Sequence, residues 1–200
     1  MRVIAGSFKG RRLAGPTWEG LRPTSDKLRE TLFNILAPRV AGAPVLDGYA
    51  GTGALGIEAL SRGAAHVTFI EHDRRAQALI AENLRRCGIE NGYAIIRAAV
   101  ARALASLDGK ALFDIILLDP PYDAERVQDP TSDEVGRLLA AVGTIVTPGG
   151  VLVLEHLRKR PQPAAAGRLV RTREVTSGDS ALALYELCRR SPSTPVPSIL

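Results

Sequence analysis

The sequence predicts an α/β fold, in which a Rossmann-like sheet of seven mostly parallel strands ends in an antiparallel strand. Three observations support this prediction. Short apolar runs alternate with helical segments from residue 44 onward, a glycine-rich stretch follows the first run, and the last two runs have no helix between them. Apolar strands that alternate with helices are typical of a parallel sheet covered on both faces. Two consecutive strands favour a hairpin, so the last strand should be antiparallel.

The predicted elements follow from runs of β-branched and apolar residues and from helical periodicity. Strands are expected at 45–49, 66–71, 93–97, 113–119 and 150–156, followed by the hairpin strands 167–175 and 180–190. Helices are expected at 54–63, 74–88 and 132–143.

A separate segment precedes this pattern. "MRVIAGSFKGRRLAG" predicts two short strands around a turn at Lys9-Gly10, and "RPTSDKLRETLFNIL" predicts an amphipathic helix within 22–36. Thr24 or Ser25 is suited to cap that helix. The predicted organisation is a basic extension packed on the core (1–39), a catalytic domain (40–190) and a disordered Pro- and Ser-rich tail (191–200).

The positive charge is concentrated in the N-terminal fifth of the chain. The formal net charge is +5, and residues 1–39 hold eight basic and three acidic residues, whereas residues 40–200 hold 18 of each sign. Such asymmetry indicates contact with nucleic acid, although a solvated basic face without a partner would look the same. The candidate RNA-binding residues are Arg2, Lys9, Arg11, Arg12 and Arg22.

Composition argues against several other classes of protein. The two cysteines and three histidines show no metal-ligand spacing, so we expect neither a disulfide framework nor a metal site. No apolar stretch reaches the roughly 18 residues of a membrane span, and the N-terminus lacks a secretory signal pattern. We therefore expect a soluble, cytoplasmic protein that needs no membrane, and nothing demands more than a monomer.

The glycine-rich stretch contains Gly51-x-Gly53-x-x-Gly56 between the first strand and a helix. This spacing matches the dinucleotide-binding fingerprint, but the match alone is weak. Asp47 precedes the loop, where a carboxylate would oppose a pyrophosphate but suit an ammonium group. Glu71 ends the next strand and is placed to accept from two ribose hydroxyls. The two acids favour S-adenosylmethionine (SAM) over NAD.

Further residues of the predicted cofactor site flank these positions in the sequence, namely Tyr49, Thr52, His72 and Ala99. The stretch after the third strand reads Ala98-Ala99-Val100 and offers no polar side chain for the adenine amino group. We therefore expect backbone amides and apolar walls to hold the adenine, with modest affinity for SAM.

The fourth predicted strand ends in Asp119-Pro120-Pro121-Tyr122. Two successive prolines fix two φ angles and remove two amide donors, so they form a stiff bend that presents bare carbonyls. The Asp119 carboxylate and the Pro120 carbonyl could accept both N–H groups of an exocyclic nucleobase amine. Tyr122 offers a flat face for an extruded base. This tetrapeptide is the predicted catalytic site.

These motifs resemble those of class I SAM-dependent methyltransferases that act on base amino groups. With "RVIAGSFKGRRL" and "LRPTSDKLRETLFNIL", the chain is similar over residues 2–190 to the RsmD family, which modifies the 2-amino group of a guanine in 16S ribosomal RNA. The resemblance implies SAM as methyl donor and 16S rRNA or the assembling small subunit as partner. It also implies catalytic roles for the tetrapeptide. Thr24 and Asp26 are candidates to close over the cofactor.

The sequence bears differently on three alternatives. The tetrapeptide recognises an amine and not guanine in particular, so methylation of adenine in RNA or DNA is possible. An NAD-linked oxidoreductase would use the glycine loop but leave the tetrapeptide and the basic extension unexplained. A non-catalytic RNA-binding module would require a degraded motif, and the motif is intact.

Overall fold

The computed structural model describes residues 1–18, 25–110, 112–120 and 134–188. Five helices lie in these ranges: α1 (Asp26–Val40), α2 (Ala54–Ser61), α3 (Arg74–Arg86), α4 (Val100–Leu107) and α5 (Glu134–Val142). Eight strands accompany them: β1 (Pro44–Gly48), β2 (His66–Glu71), β3 (Tyr93–Arg97), β4 (Phe113–Leu118), β5 (Val146–Leu157), β6 (Ala165–Ala166), β7 (Leu169–Ser177) and β8 (Ser180–Leu187).

All eight strands form one sheet in the order β3-β2-β1-β4-β5-β8-β7-β6. The first five strands in this order are parallel, whereas β8 is antiparallel to both β5 and β7. The predicted fold class and the antiparallel last strand are confirmed. The two-residue strand β6, antiparallel to β7, is an eighth strand that the sequence did not predict.

Helices cover both faces of the sheet, and each face has its own apolar core. On one face α1, α2 and α3 pack on side chains such as Val45, Leu117 and Val153. On the other face α4 and α5 pack on Leu46, Ile116 and their neighbours. This alternation explains why the central strands are almost continuously apolar, because both of their faces are buried.

Helix α4 was not predicted from the sequence, since no helix was expected between the strands at 93–97 and 113–119. Val100, Ala103 and Leu104 form its buried side, at the i, i+3, i+4 spacing of a helix. The helix is only eight residues long, and its first turn directly follows Ala98 and Ala99, the small residues after β3. Packing on the sheet decides its conformation, since so short a helix is marginal alone.

Helix α1 is capped at Ser25, whose hydroxyl accepts from the Leu28 amide at 3.2 Å. The helix extends to Val40, beyond the predicted end at residue 36, and it includes Pro38 near its last turn. The predicted start of this segment, residues 22–24, lies outside the described residues, as do residues 132–133 before α5 and the predicted tail.

The first 14 residues form a minimal hairpin in place of two regular strands. Arg2 and Arg12 make a single antiparallel bridge, and the Val3 amide donates to the Arg11 carbonyl at 3.0 Å. Val3 and Leu13 are buried in the same core as α1 and α2. The hairpin is therefore held by packing against the helices more than by its own ladder. No helix in the described ranges is long and apolar enough to cross a membrane.

Candidate active site

The candidate site lies at the carboxyl edge of the parallel strands. β1 is flanked by β2 on one side and β4 on the other, and the chain crosses between these halves after β3. Such a reversal leaves a crevice beyond the strand ends, where doubly wound sheets bind ligands. Four acidic residues lie at or near this edge of the sheet, namely Asp47, Glu71, Asp119 and Glu155.

The loop between β1 and α2 has a backbone that few side chains tolerate. Gly51 and Gly53 have φ values of 55° and 77°, and Tyr49 is the only non-glycine residue among the described ones with a positive φ, at 61°. The third glycine has a different role, because a Cβ at Gly56 would lie 2.2 Å from a ring carbon of Phe69. The first two glycines thus shape the loop, and Gly56 lets α2 pack closely on β2.

Asp47 is buried beneath this loop, with 1% of its surface exposed. One carboxylate oxygen accepts from the Gly56 amide in the first turn of α2 at 2.8 Å. Burial raises the pKa of the Asp47 carboxyl well above its usual range, and this hydrogen bond only partly opposes the rise. The charges of Asp119 and Glu71 raise that pKa further, so both carboxylates lie within electrostatic reach. Such a site favours a bound cation.

Glu71 ties the end of β2 to the glycine loop. One oxygen accepts from the Gly51 amide at 2.9 Å, and the other accepts from the amides of His72 and Asp73 at 2.7 and 2.8 Å. The His72 ring lies 3.1 Å from the same carboxylate but is largely exposed. The carboxylate therefore fixes the loop's position as well as bordering the crevice.

Two buried amide side chains support this half of the site, and the sequence analysis missed both. Gln77 donates to the Glu71 carbonyl at 2.9 Å. Asn83 donates to the carbonyls of Thr52 and Ala14 and accepts from the Ala14 amide at 2.7 Å. Asn83 is a polar residue on the apolar side of α3, and that position was the only signal available in the sequence.

The connection between β3 and α4 presents small and apolar groups, and its role in holding an adenine stays a prediction. Ala99 is the N-cap residue of α4 and makes no side-chain capping bond. Val100 is buried and lies near Gly48, since a Cβ built at that glycine would be 3.9 Å from Val100. This wall adjoins the end of β1.

Asp119 and Pro120 follow β4 at the same edge, and both are half-buried. Leu118 pairs with Gly48 of β1 and Leu154 of β5, so Asp119 extends from the centre of the sheet. Pro121 and Tyr122 lie outside the described residues, so their predicted stacking and bending roles stay predictions.

The N-terminal hairpin runs along α2, away from the glycine loop. Thr52, in the loop, contacts the Met1 sulfur at 3.9 Å, whereas the Ser7 amide donates to the carbonyl of Ser61 at the far end of α2. An eight-residue helix is about 12 Å long. The predicted RNA-binding residues Arg2, Lys9, Arg11 and Arg12 are all exposed along this path, and Arg22 lies outside the described ranges.

A buried ionic group fastens the hairpin to the helices. The Glu58 carboxylate accepts from the Ile4 and Ala5 amides at 2.7 and 3.0 Å and from Arg62 Nε at 2.7 Å. The fully buried Arg29 guanidinium lies 4.0 Å from Glu58 and pairs with Asp26 at 2.9 Å. Burial lowers the pKa of Arg29. Asp26 is thus engaged by α1, its closure over a cofactor stays a prediction, and Thr24 lies outside the described residues.

The open sheet of this order, with its glycine loop after β1 and carboxylates at the strand ends, defines a class I methyltransferase. The chain belongs to the RsmD family of ribosomal RNA methyltransferases, whose family model, described as "Conserved hypothetical protein 95", matches residues 1–186. The protein is therefore an RNA methyltransferase, and the alternative of an NAD-linked oxidoreductase is wrong.

Individual relatives agree with this assignment over nearly the whole chain. The Bacillus subtilis protein YlbH is 36% identical over 189 residues, covering 93% of this chain and 98% of the relative. The ribosomal RNA small subunit methyltransferase D of Haemophilus influenzae is 33% identical, covering 93% of each chain. The solved structure of yhhF from Escherichia coli is 34% identical, with a TM-score of 0.75 over 94% of this chain and 97% of that one.

Proposed function

We propose that this protein methylates the exocyclic 2-amino group of a guanine in 16S ribosomal RNA, with SAM as donor. The proposal is carried by one juxtaposition: β1 pairs directly with β4, Asp47 is opposite Leu117, and Asp119 follows two residues after Leu117. The charge of Asp119 also raises the pKa of Asp47. An acceptor for a base amine therefore stands beside a buried carboxylate suited to a cation. The small-subunit rRNA substrate is that of the Haemophilus influenzae relative, a ribosomal RNA small subunit methyltransferase. The guanine is what the resemblance to the RsmD family implies.

The described residues fit the proposed donor. Asp47 is a buried carboxylate with a raised pKa, and an ammonium group nearby would favour its ionised form. The left-handed backbone at Gly51 and Gly53 leaves room for close approach, and Glu71 borders the crevice at the end of β2. When bound, SAM supplies an electrophilic methyl group on a sulfonium.

The chain's own contribution is positioning and electrostatics. A guanine amine is a weak nucleophile because its lone pair is delocalised into the ring. Asp119 and the Pro120 carbonyl would accept its two N–H groups, favour a pyramidal nitrogen and direct its lone pair at the methyl carbon. SAM would supply the methyl group that the amine nitrogen gains, its sulfur would keep the electron pair of the broken S–C bond, and the Asp119 carboxylate would be placed to accept the released amine proton.

The exposed basic residues of the hairpin would hold the RNA backbone. Arg2 and Arg12 lie nearer the crevice, and Lys9 lies at the turn near the far end of α2. The RNA would then cross the side of the protein formed by the hairpin over roughly the length of α2. Its target base should come from a loop or an unpaired region, where it can be extruded.

The deciding experiment is transfer of a labelled methyl group from SAM to small-subunit rRNA and partly assembled particles from a strain that lacks the modification. Label in 2-methylguanosine after digestion would support the proposal. Label in 6-methyladenosine would show that the target base is adenine and not guanine. Asp119→Ala should lower kcat at least about 100-fold with little change in SAM affinity. The control is Asp108→Ala, an exposed aspartate at the end of α4. An Asp119 variant that retained most of its activity would contradict the catalytic role.

A further inference from the structure

Glu155 is a buried acid on β5 that the sequence analysis did not single out. Only 7% of its surface is exposed. It lines a small cavity with side chains from α1, α2 and the sheet, among them Leu32, Leu55 and Leu117. A carboxylate in such apolar surroundings loses much of its hydration, which makes its hydrogen bonds strongly selective for donors.

Strand register places Glu155 at the catalytic edge. In the parallel pair β4–β5, Leu117 is opposite Val153 and Leu118 is opposite Leu154. Asp119 is the first residue after β4, and Glu155 is the next residue on β5, which continues to Leu157. The carboxylate that would accept the base amine therefore follows the end of β4 beside the buried Glu155 of the neighbouring strand.

The sheet also separates the two ligands. The glycine loop and Glu71 belong to β1 and β2, so the proposed cofactor lies over that half of the crevice. The base must then approach from the β4 and β5 half in order to bring its amine between Asp119 and the methyl group. Glu155 lies in this second half, where the edge of the base next to the amine would face it.

Guanine and adenine differ on that edge. Next to its 2-amino group guanine carries N1–H, a donor, whereas adenine N1 beside its 6-amino group has a lone pair and no proton. An ionised carboxylate only accepts hydrogen bonds. It would bond guanine N1–H and repel the N1 lone pair of adenine.

We propose that Glu155 accepts the N1–H of the target guanine and so selects guanine over bases whose N1 is unprotonated. The inference rests on the proposed function and extends it to base specificity. Glu155 is then a specificity-determining residue, and Asp119 accepts the hydrogen bond from the base amine.

The test compares an RNA substrate carrying the target guanine with the same RNA carrying 2-aminopurine at that position. 2-Aminopurine keeps the 2-amino group but has a lone pair at N1. The wild-type protein should prefer guanine by about 10- to 100-fold in kcat/KM. Glu155→Gln supplies an amide that can donate to the 2-aminopurine N1, so the guanine preference should shrink about 10-fold or more. Glu90→Gln, at an exposed position before β3, should keep the wild-type ratio.

The ratio of the two substrates separates recognition from folding. If Glu155→Gln lowered both rates equally and left the ratio unchanged, Glu155 would be a structural residue and the inference would be overturned. A wild-type protein that methylated both bases equally would also overturn it, whether or not the variant folds. Transfer to neither RNA, despite measurable SAM binding, would refute the proposed function itself.

Discussion

Replacing Glu58 by alanine should detach the N-terminal hairpin and destabilise the whole protein. Glu58 is 1% exposed, and its carboxylate accepts from the Ile4 and Ala5 amides and from Arg62. It is also one of two carboxylates near the buried Arg29 guanidinium. One side chain thus holds both the hairpin and a buried charge.

The magnitude follows from these contacts. Each hydrogen bond to a charged group contributes about 1.5–3 kcal/mol, and removal of one partner of a buried ionic group typically costs about 3–5 kcal/mol. Because these contributions overlap, we expect Glu58→Ala to lower the free energy of unfolding by about 3–5 kcal/mol. For a chain of this size that corresponds to a fall in Tm of roughly 6–20 °C.

A matched control lies on the neighbouring helix. Glu82 and Arg86 on α3 have the same i, i+4 spacing as Glu58 and Arg62, but the Glu82 side chain is 35% exposed. Glu82→Ala should therefore cost only about 0.2–0.5 kcal/mol.

Thermal and urea unfolding of both variants would measure the difference, and hydrogen exchange at the Ile4 and Ala5 amides would report release of the hairpin. Equal destabilisation by the Glu58 and Glu82 variants, or unchanged protection of those two amides in Glu58→Ala, would refute the reasoning.

Two further predictions concern the cofactor half and the RNA-binding surface. The pKa of Asp47 is raised in the folded protein, so its carboxyl keeps its proton at pH values above about 4, where the unfolded chain has released it. The contribution of Asp47 to the free energy of unfolding therefore falls as pH rises from about 4 through the folded-state pKa. Asp47→Asn can still accept from the Gly56 amide and should raise the Tm of the ligand-free protein at neutral pH. The difference in Tm should disappear in acid, and the affinity for SAM should fall. An unchanged Tm at pH 7.5 would contradict the prediction. Alanine at Lys9, Arg11 and Arg12 together should weaken RNA binding and reduce the slope of log affinity against log salt by about 2–3 units, and a slope equal to wild type would exclude phosphate contact by these residues.

The sequence predicted the central sheet closely, because strands buried on both faces leave a clear apolar pattern. Strands β2 and β3 were predicted with their observed bounds at 66–71 and 93–97. Helix α4 was missed, since eight residues with a short apolar side carry little periodicity. Strand β6 was missed as well, because pairing with β7 defines it and its two alanines do not.

The candidate site was predicted in part. Asp47, Glu71 and Asp119 could be proposed because each lies at or near the carboxyl end of a predicted strand, and parallel strands bring such ends to one edge. Glu58 and Asn83 could not, since the backbone groups of the hairpin that they bind lie some 50 to 70 residues away in the chain. Glu155 also needed the structure, which shows its burial and its position beside Asp119 in the register.

The sequence by itself determined the class of fold, the glycine loop and the types of group at the strand ends, because these depend on local residue type and period. Only the tertiary structure decided which groups are buried and what they contact. Burial raises the pKa of the Asp47 carboxyl, and packing of the N-terminal hairpin on α2 lets Glu58 accept from the Ile4 amide. The physical reason is that desolvation and long-range hydrogen bonds depend on packing, and packing brings together residues that are distant in the chain.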